Sequence, residues 1–141
     1  MDATERRVDL PIVAELMTAD PLVIRSTAAA GAAAHLLDSC GVSGAPVVDD
    51  DGNVVGVVSR SNLVHAFTSA SLLAALPGLS VHDVMSRPAI TVSGRASADA
   101  AARLMEAHHV HRLVVVDEDQ GAPIGILSQS DLVRALATLG E

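Results

Sequence analysis

An internal duplication constrains the fold of this chain more than any other feature. Residues 81–85 repeat the pattern of residues 13–17 at a spacing of 68, and residues 125–131 repeat residues 56–62 at a spacing of 69. The helix, strand and turn patterns between these ends recur in the same order. One copy, at about 55–60 residues, would bury a sheet poorly by itself. Two copies are therefore expected to pack face to face as one pseudo-symmetric module.

Each copy has the pattern of a β-α-β-β-α unit, which predicts the α+β class. In the first copy the predicted elements are a short strand at 22–24, a helix at 27–40, strands at 45–48 and 54–58 around a turn at 49–53, and a helix from about 62. The apolar spacing of the first helix places Cys40, and its counterpart His108 in the second copy, toward the core. The predicted organisation is a flexible lead-in at 1–12, a first repeat at 13–67, a linker at 68–80 and a second repeat at 81–138.

Charge and aromatic content argue against two classes of partner. The formal net charge is −8, all nine basic residues are arginine, and one Phe is the only aromatic residue. Such a chain lacks the basic surface and the stacking rings of a nucleic-acid-binding protein, and it is equally unsuited to an anionic membrane surface. Its single cysteine cannot form an internal disulfide, and residues 1–7 lack the apolar core of a signal peptide. A cytoplasmic protein is expected.

The two closing motifs carry the chemistry of interest. Ser59 precedes Asn62, and Ser128 precedes Asp131, each pair at the junction of a strand and a helix. A hydroxyl followed three residues later by a polar side chain is typical of a capping box. The same helix N-terminus is also an anion site, because its free N–H groups point outward. From the residues alone, the motifs are either helix caps or ligand contacts.

The paired motifs resemble a tandem pair of cystathionine-β-synthase (CBS) domains. The similarity covers roughly residues 13–138 and rests on the Met–Pro openings (Met17 and Pro21, Met85 and Pro88), the two closing motifs and the run at 105–117. The resemblance implies a non-enzymatic regulatory module with no required cofactor. Its expected ligands are AMP, ADP, ATP or S-adenosylmethionine, bound in clefts between the repeats.

The resemblance also implies roles for individual residues. Asp131 would accept hydrogen bonds from ribose hydroxyls, and Ser128 would contact phosphate. Asn62 departs from the usual Asp, which weakens the equivalent site with Ser59. His111 and Arg112 stand where related proteins reach phosphate, and the first copy has Ser43 and Gly44 there. Further candidates are Arg60 for phosphate, and Thr91, Val92 and Leu113 for the adenine pocket.

The histidines at 108–111 and the single cysteine favour neither a metal site nor a catalytic thiol. His108, His109 and His111 lack a helical ligand spacing for a metal site. Cys40 has no partner residue and is interpreted as a core residue rather than a nucleophile.

Other hypotheses remain open at this point. The same fold could be a ligandless module that only dimerises or docks onto another protein. An enzyme would need a nucleophile–base pair or paired carboxylates in a cleft, and no spacing favours one. Whether or not the module binds a ligand, the apolar residues at 62–67 and 132–136 predict a homodimer. A protein that the module would regulate is not identified by the sequence.

Overall fold

The computed structural model describes residues 9–140 of the chain. Most of the predicted lead-in, residues 1–8, lies outside the described residues. The helices are α1 Val13–Leu16, α2 Ala30–Cys40, α3 Arg60–Thr68, α4 Ala70–Ala75, α5 Val81–Val84, α6 Ala98–His108 and α7 Gln129–Leu139. The strands are β1 Thr18–Ala19, β2 Ile24–Arg25, β3 Gly44–Val48, β4 Val54–Ser59, β5 Thr91–Ser93, β6 Arg112–Val116 and β7 Pro123–Ser128.

The strands form two sheets that repeat one topology. In the first sheet β2 pairs parallel to β3, which pairs antiparallel to β4. In the second sheet β5 pairs parallel to β6, β6 pairs antiparallel to β7, and β1 adds to the far edge of β7. The valine-rich central strands β3 and β6 are buried along most of their length, as expected of strands covered on both faces. Each sheet contributes to its own hydrophobic core.

The two repeats exchange their opening turns. The α1 backbone N–H of Val13 donates to Ala96 O at 2.8 Å, and the equivalent N–H of Val81 in α5 donates to Ala28 O at the same distance. Val13 is fully buried in the core of the second repeat, and Val81 is fully buried in the core of the first. Each repeat therefore needs the other to complete its core, which is why the pair folds as one unit.

The strands repeat this exchange. Thr18 in β1 pairs with Ile126 on the closing strand of the second repeat. Ser86, which follows α5, forms an isolated antiparallel bridge to Val57 on the closing strand of the first repeat. These crossings bring the opening of one repeat beside the strand–helix junction of the other, and both candidate clefts lie at these meeting points.

The prediction that Cys40 and His108 face the core was wrong. Both side chains are exposed. The buried stripe of α2 consists of Ala30, Ala33 and Leu37. Cys40 and His108 are instead the last residues of α2 and α6, where the chain turns away through a left-handed residue, Gly41 or His109.

The segments expected to be a lead-in and a linker take part in the fold. Pro11 O accepts a hydrogen bond from the backbone N–H of Ala98 at 3.0 Å. Residues 68–80 contain the helix α4, and Leu79 is 2% exposed in the core of the first repeat. The Leu79 carbonyl accepts the N–H of Ala30, which matches the Pro11–Ala98 contact across the pseudo-two-fold.

Candidate functional site

Two clefts lie between the repeats, one at each closing motif. We call the first the Asn62 cleft; it encloses about 230 Å³ and is lined by Val57, Ser59, Ser61, Asn62, Ser86, Pro88, Ala89, Ile90, His109, Val110, His111 and Arg112. We call the second the Asp131 cleft; it encloses about 150 Å³ and is lined by Thr18, Asp20, Pro21, Leu22, Val42, Ser43, Gly44, Ile126, Ser128 and Asp131. The two linings correspond to each other at the spacing of the duplication, so the clefts are pseudo-equivalent.

The side chain of Asn62 is hydrogen-bonded within the protein at the junction of β4 and α3. Its Oδ1 accepts the backbone N–H of Ser59 at 2.9 Å and the Ser59 hydroxyl at 3.0 Å. Its Nδ2 donates to Ser86 Oγ at 3.0 Å, which ties the first repeat to the opening of the second. The carbonyl oxygen of Asn62 therefore has little acceptor capacity left for a ligand.

Asp131 forms the same capping box with a carboxylate. One of its oxygens accepts the backbone N–H of Ser128 at 2.8 Å, and the other accepts a hydrogen bond from Arg134 one turn along α7. Asp131 is 6% exposed, and Ser59 and Asp131 are the buried polar residues within the described part of the chain. A carboxylate has about four acceptor positions, so two remain for ribose hydroxyls at the mouth of the cleft. Cap and ligand contact are compatible at Asp131.

His111 and Arg112 lie in the Asn62 cleft and are not among the residues lining the Asp131 cleft. The start of β6 in the second repeat therefore lies beside the closing motif of the first repeat. Arg112 is partly buried between the repeats, and its Nη2 donates to Ser43 Oγ at 3.3 Å. Burial lowers the pKa of the Arg112 guanidinium below its ordinary value, although arginine stays protonated in proteins.

Gly44 makes room for Arg112. A Cβ at Gly44 would lie 3.2 Å from Arg112 Nε, which is tighter than an ordinary van der Waals contact. In the sequence, Ser43 and Gly44 differ from their counterparts His111 and Arg112 by carrying no charge. In the structure, they form the surface against which Arg112 of the other repeat packs.

The structure places the remaining candidates outside the two clefts. Arg60 Nε donates to Val42 O and its Nη2 donates to Leu37 O, each at 3.1 Å, so its guanidinium caps the end of α2. Thr91 is exposed on β5. Val92 and Leu113 are 6% and 0% exposed in the core of the second repeat, so their side chains cannot cover an adenine ring without the core opening.

Residues from the repeat openings were missed by sequence reasoning. Asp20 lines the Asp131 cleft, and Ser86 lines the Asn62 cleft. Both follow the Met of an opening motif, but only the exchange of the openings brings them to a closing motif of the other repeat. Asp20 also has a left-handed backbone with φ of 51°, a conformation in which Asp and Asn are enriched.

The clefts differ in charge. Among the described residues that line them, the Asn62 cleft has two histidines and Arg112 and no carboxylate, whereas the Asp131 cleft has Asp20 and Asp131. The Arg112 guanidinium also reaches the Asp131 cleft, where it donates to the lining hydroxyl of Ser43. Arg134 partly balances Asp131 from outside that cleft. In residues 9–140, no group of three His, Cys, Asp or Glu side chains is placed to hold a metal ion, and no helix is long and apolar enough to cross a membrane.

Comparison with known families settles what kind of module this is. The family model described as CBS domain matches the chain twice, at residues 13–69 and 81–138. The chain belongs to the CBS domain family. The internal duplication is therefore a pair of tandem CBS repeats.

Curated relatives include an uncharacterized protein of Methanocaldococcus jannaschii, which is 32% identical over 124 residues. That alignment covers 67% of this chain and 73% of the relative. The homoserine O-acetyltransferase of Methanosphaerula palustris is 28% identical over 131 residues, which are 93% of this chain but 25% of the enzyme. The chain therefore spans about a quarter of that enzyme's length.

Solved structures of CBS pairs superpose on the whole fold. CBSX2 in complex with AMP matches with a TM-score of 0.76 and 32% identity, over 92% of this chain and 98% of that protein. CBSX2 from Arabidopsis thaliana matches with a TM-score of 0.75 and 30% identity, over 94% and 98%. The CBS domain pair of protein MJ0100, in complex with 5′-methylthioadenosine and S-adenosyl-L-methionine, has a TM-score of 0.80 and 21% identity, over 93% of this chain and 99% of that one, and supports the fold alone.

Proposed function

We propose that this protein is a regulatory module that binds adenosine-containing ligands in the two clefts between its CBS repeats. The observation that carries the proposal is the pair of pseudo-equivalent clefts, each built from the closing motif of one repeat and the opening of the other. A ligand in either cleft touches both repeats, so binding can change how the repeats sit against each other. An unidentified protein that senses this change would be the regulated partner.

The ligand class is supported by similarity and by chemistry. CBSX2, at 32% identity and nearly full coverage, is known in complex with AMP. In this chain the residues suited to ribose and phosphate are Asp131, Ser128, Arg112 and His111, and each of them lines a cleft. Carboxylates accept hydroxyl hydrogens, whereas guanidinium and helix N-termini favour phosphate.

A thermal-shift panel with AMP, ADP, ATP, S-adenosylmethionine and NAD tests the proposal. A ligand present at a hundred times its Kd stabilises the native state by about 2.7 kcal/mol. For a chain of this size, we expect a rise in Tm of about 8 °C. Inosine and GMP are the controls for base selectivity. If no adenosine-containing compound raises Tm and the purified protein has no absorbance near 260 nm from a retained nucleotide, the fold acts as a ligandless interaction module.

We further propose that the protein is a homodimer formed through α3 and α7. Val64 and Phe67 on α3 are 63% and 71% exposed, and their counterparts Val133 and Leu136 on α7 are 66% and 70% exposed. Exposed clusters of large apolar side chains mark interaction sites. A second copy is the favoured occupant because the pseudo-two-fold offers two matching helix faces, which a two-fold dimer would bury together.

A further inference from the structure

We propose that the second repeat has a binding site for the guanidinium group of an arginine on a partner protein. The site is an open hollow of about 390 Å³ at the C-terminal end of α6, which we call the Gln129 hollow. It is lined by Met105, Glu106, His109, Val110, His111 and Gln129. All of these residues belong to the second repeat, so the hollow is distinct from the clefts between the repeats, although residues 109–111 also line the Asn62 cleft. The proposal does not depend on the ligand of the clefts.

The first repeat shows which chemical group fits such a hollow. At the end of α2, the equivalent position contains the side chain of Arg60. Its Nη2 donates to Leu37 O and its Nε donates to Val42 O, each at 3.1 Å. Asp38 Oδ1 lies 3.8 Å from Arg60 Nη1. Two carbonyl oxygens and a carboxylate, at the negative end of a helix dipole, therefore bind one guanidinium group.

The same acceptors recur in the second repeat. At the spacing of 68, the two carbonyl groups correspond to those of Met105 and Val110, and the carboxylate corresponds to that of Glu106. The backbone has the same form, because α2 and α6 both end at a left-handed residue whose N–H donates to helix carbonyls. The N–H of Gln129 donates to His111 O at 2.9 Å, and the equivalent N–H of the first repeat donates at the same distance.

The two sites differ in the side chain that starts the following helix. Gln129 stands at the position of Arg60, and its side chain is shorter and uncharged. It lines the hollow and supplies no guanidinium group. Met105 O accepts the N–H of Val110 at 3.0 Å, but the equivalent Leu37 O accepts a backbone N–H and Arg60 together, since a carbonyl has two lone pairs. The acceptors of the second repeat can therefore bind a guanidinium group from another chain.

The chemistry of the hollow favours an arginine side chain of a protein over a free small molecule. Its ionisable lining residues are Glu106, His109 and His111. Glu106 is exposed, and ion pairs at exposed positions are weak. Two hydrogen bonds to carbonyls and one exposed ion pair correspond to a Kd of about 10 mM or weaker for a lone guanidinium group. An arginine on a protein surface gains further affinity from the contacts around it, and arginine is enriched among the residues that dominate interfaces.

Amide chemical shifts in a ¹⁵N-labelled protein test the site, with N-acetyl-arginine amide as the probe and N-acetyl-lysine amide as its control. We expect the arginine probe at about 50 mM to shift the amides of Val110, His111 and Gln129 at about pH 7.5, where free histidine is mostly neutral. The lysine probe should shift these amides about threefold less, because an ammonium group lacks the planar fork that reaches two carbonyls.

Two variants with opposite effects are the matched controls. Gln129→Arg supplies the guanidinium group from within the chain and should abolish the probe-induced shifts at Val110 and His111. Arg60→Gln frees the acceptors of the first repeat and should add probe-induced shifts at Val42. Both positions are exposed, so both variants should fold, and circular dichroism checks this before the titrations.

Each outcome decides the proposal. Shifts at Val110 and His111 that disappear in Gln129→Arg, together with new shifts at Val42 in Arg60→Gln, would confirm the site. Wild-type shifts that are absent, that are equal for the two probes, or that persist in Gln129→Arg would overturn it. A Kd tighter than about 0.1 mM for the free arginine probe would overturn the choice of a partner protein, because a small guanidinium compound would then bind without one.

Discussion

The exchange of opening turns can be tested by adding one methyl group at Gly56. A Cβ there would lie 2.6 Å from Ser86 O and 2.8 Å from Met85 Sδ, distances that real Cβ atoms essentially never show. Gly56→Ala must therefore push the second repeat's opening off β4. Overpacking of this kind costs about 1–3 kcal/mol. The backbone of Ser86 also exchanges two hydrogen bonds with Val57, each worth about 1 kcal/mol.

Together these effects predict that Gly56→Ala lowers the free energy of unfolding by about 2–4 kcal/mol. The chain has no Trp or Tyr, so urea unfolding is best followed by circular dichroism, with all variants at one protein concentration. Gly31→Ala is the matched control. Gly31 lies in α2, and no atom outside its local helix backbone comes within 4 Å of its added Cβ. This variant should be neutral or more stable by up to about 1 kcal/mol. A Gly56→Ala protein within about 0.5 kcal/mol of the wild type would refute the crossed packing.

Two further predictions concern assembly and pH. Phe67→Glu combined with Leu136→Glu should convert a dimer into a 14.4 kDa monomer by light scattering, because it places charge on both exposed helix faces; a monomeric wild type, or a variant that stays dimeric, would contradict the interface. Backbone N–H groups of Asn53 and Asp51 lower the pKa of Asp49 below its ordinary value, so its stabilisation is present above about pH 3.9 and is lost as pH falls through the lowered value. Asp49→Asn should therefore flatten the loss of stability below pH 4, and an unchanged acid profile would count against this.

The repeated elements could be predicted because each leaves a local signature. Three of these features can be recognised in the sequence: the turn residues at 49–53, the closing motifs and the spacing of the two copies. The capping boxes at Ser59 and Ser128 form as that pattern implies. Such features depend on neighbours within a few residues, and short-range rules are sufficient for them.

The crossing of the repeats had no such signature. A four-residue amphipathic turn such as α1 specifies that Val13 is buried but not in which of two similar cores. For the same reason the sequence could not show that Arg112 lines the cleft of Asn62 and rests on Ser43 in the lining of the Asp131 cleft. Val92 and Leu113 are a further case, because alternation along a short strand does not distinguish a ligand-facing apolar residue from a core residue.

Calorimetric titration of AMP into the wild type and into the double variant Arg112→Gln, Asp131→Asn tests the central claim most directly. Asparagine keeps the cap at 131, so the variant should fold, and circular dichroism confirms this before the titration. We predict measurable binding to the wild type and a loss of affinity of at least tenfold in the double variant, because each cleft then lacks its one strongest charged contact. A folded double variant that binds AMP as tightly as the wild type would contradict the assignment of these clefts as the ligand sites.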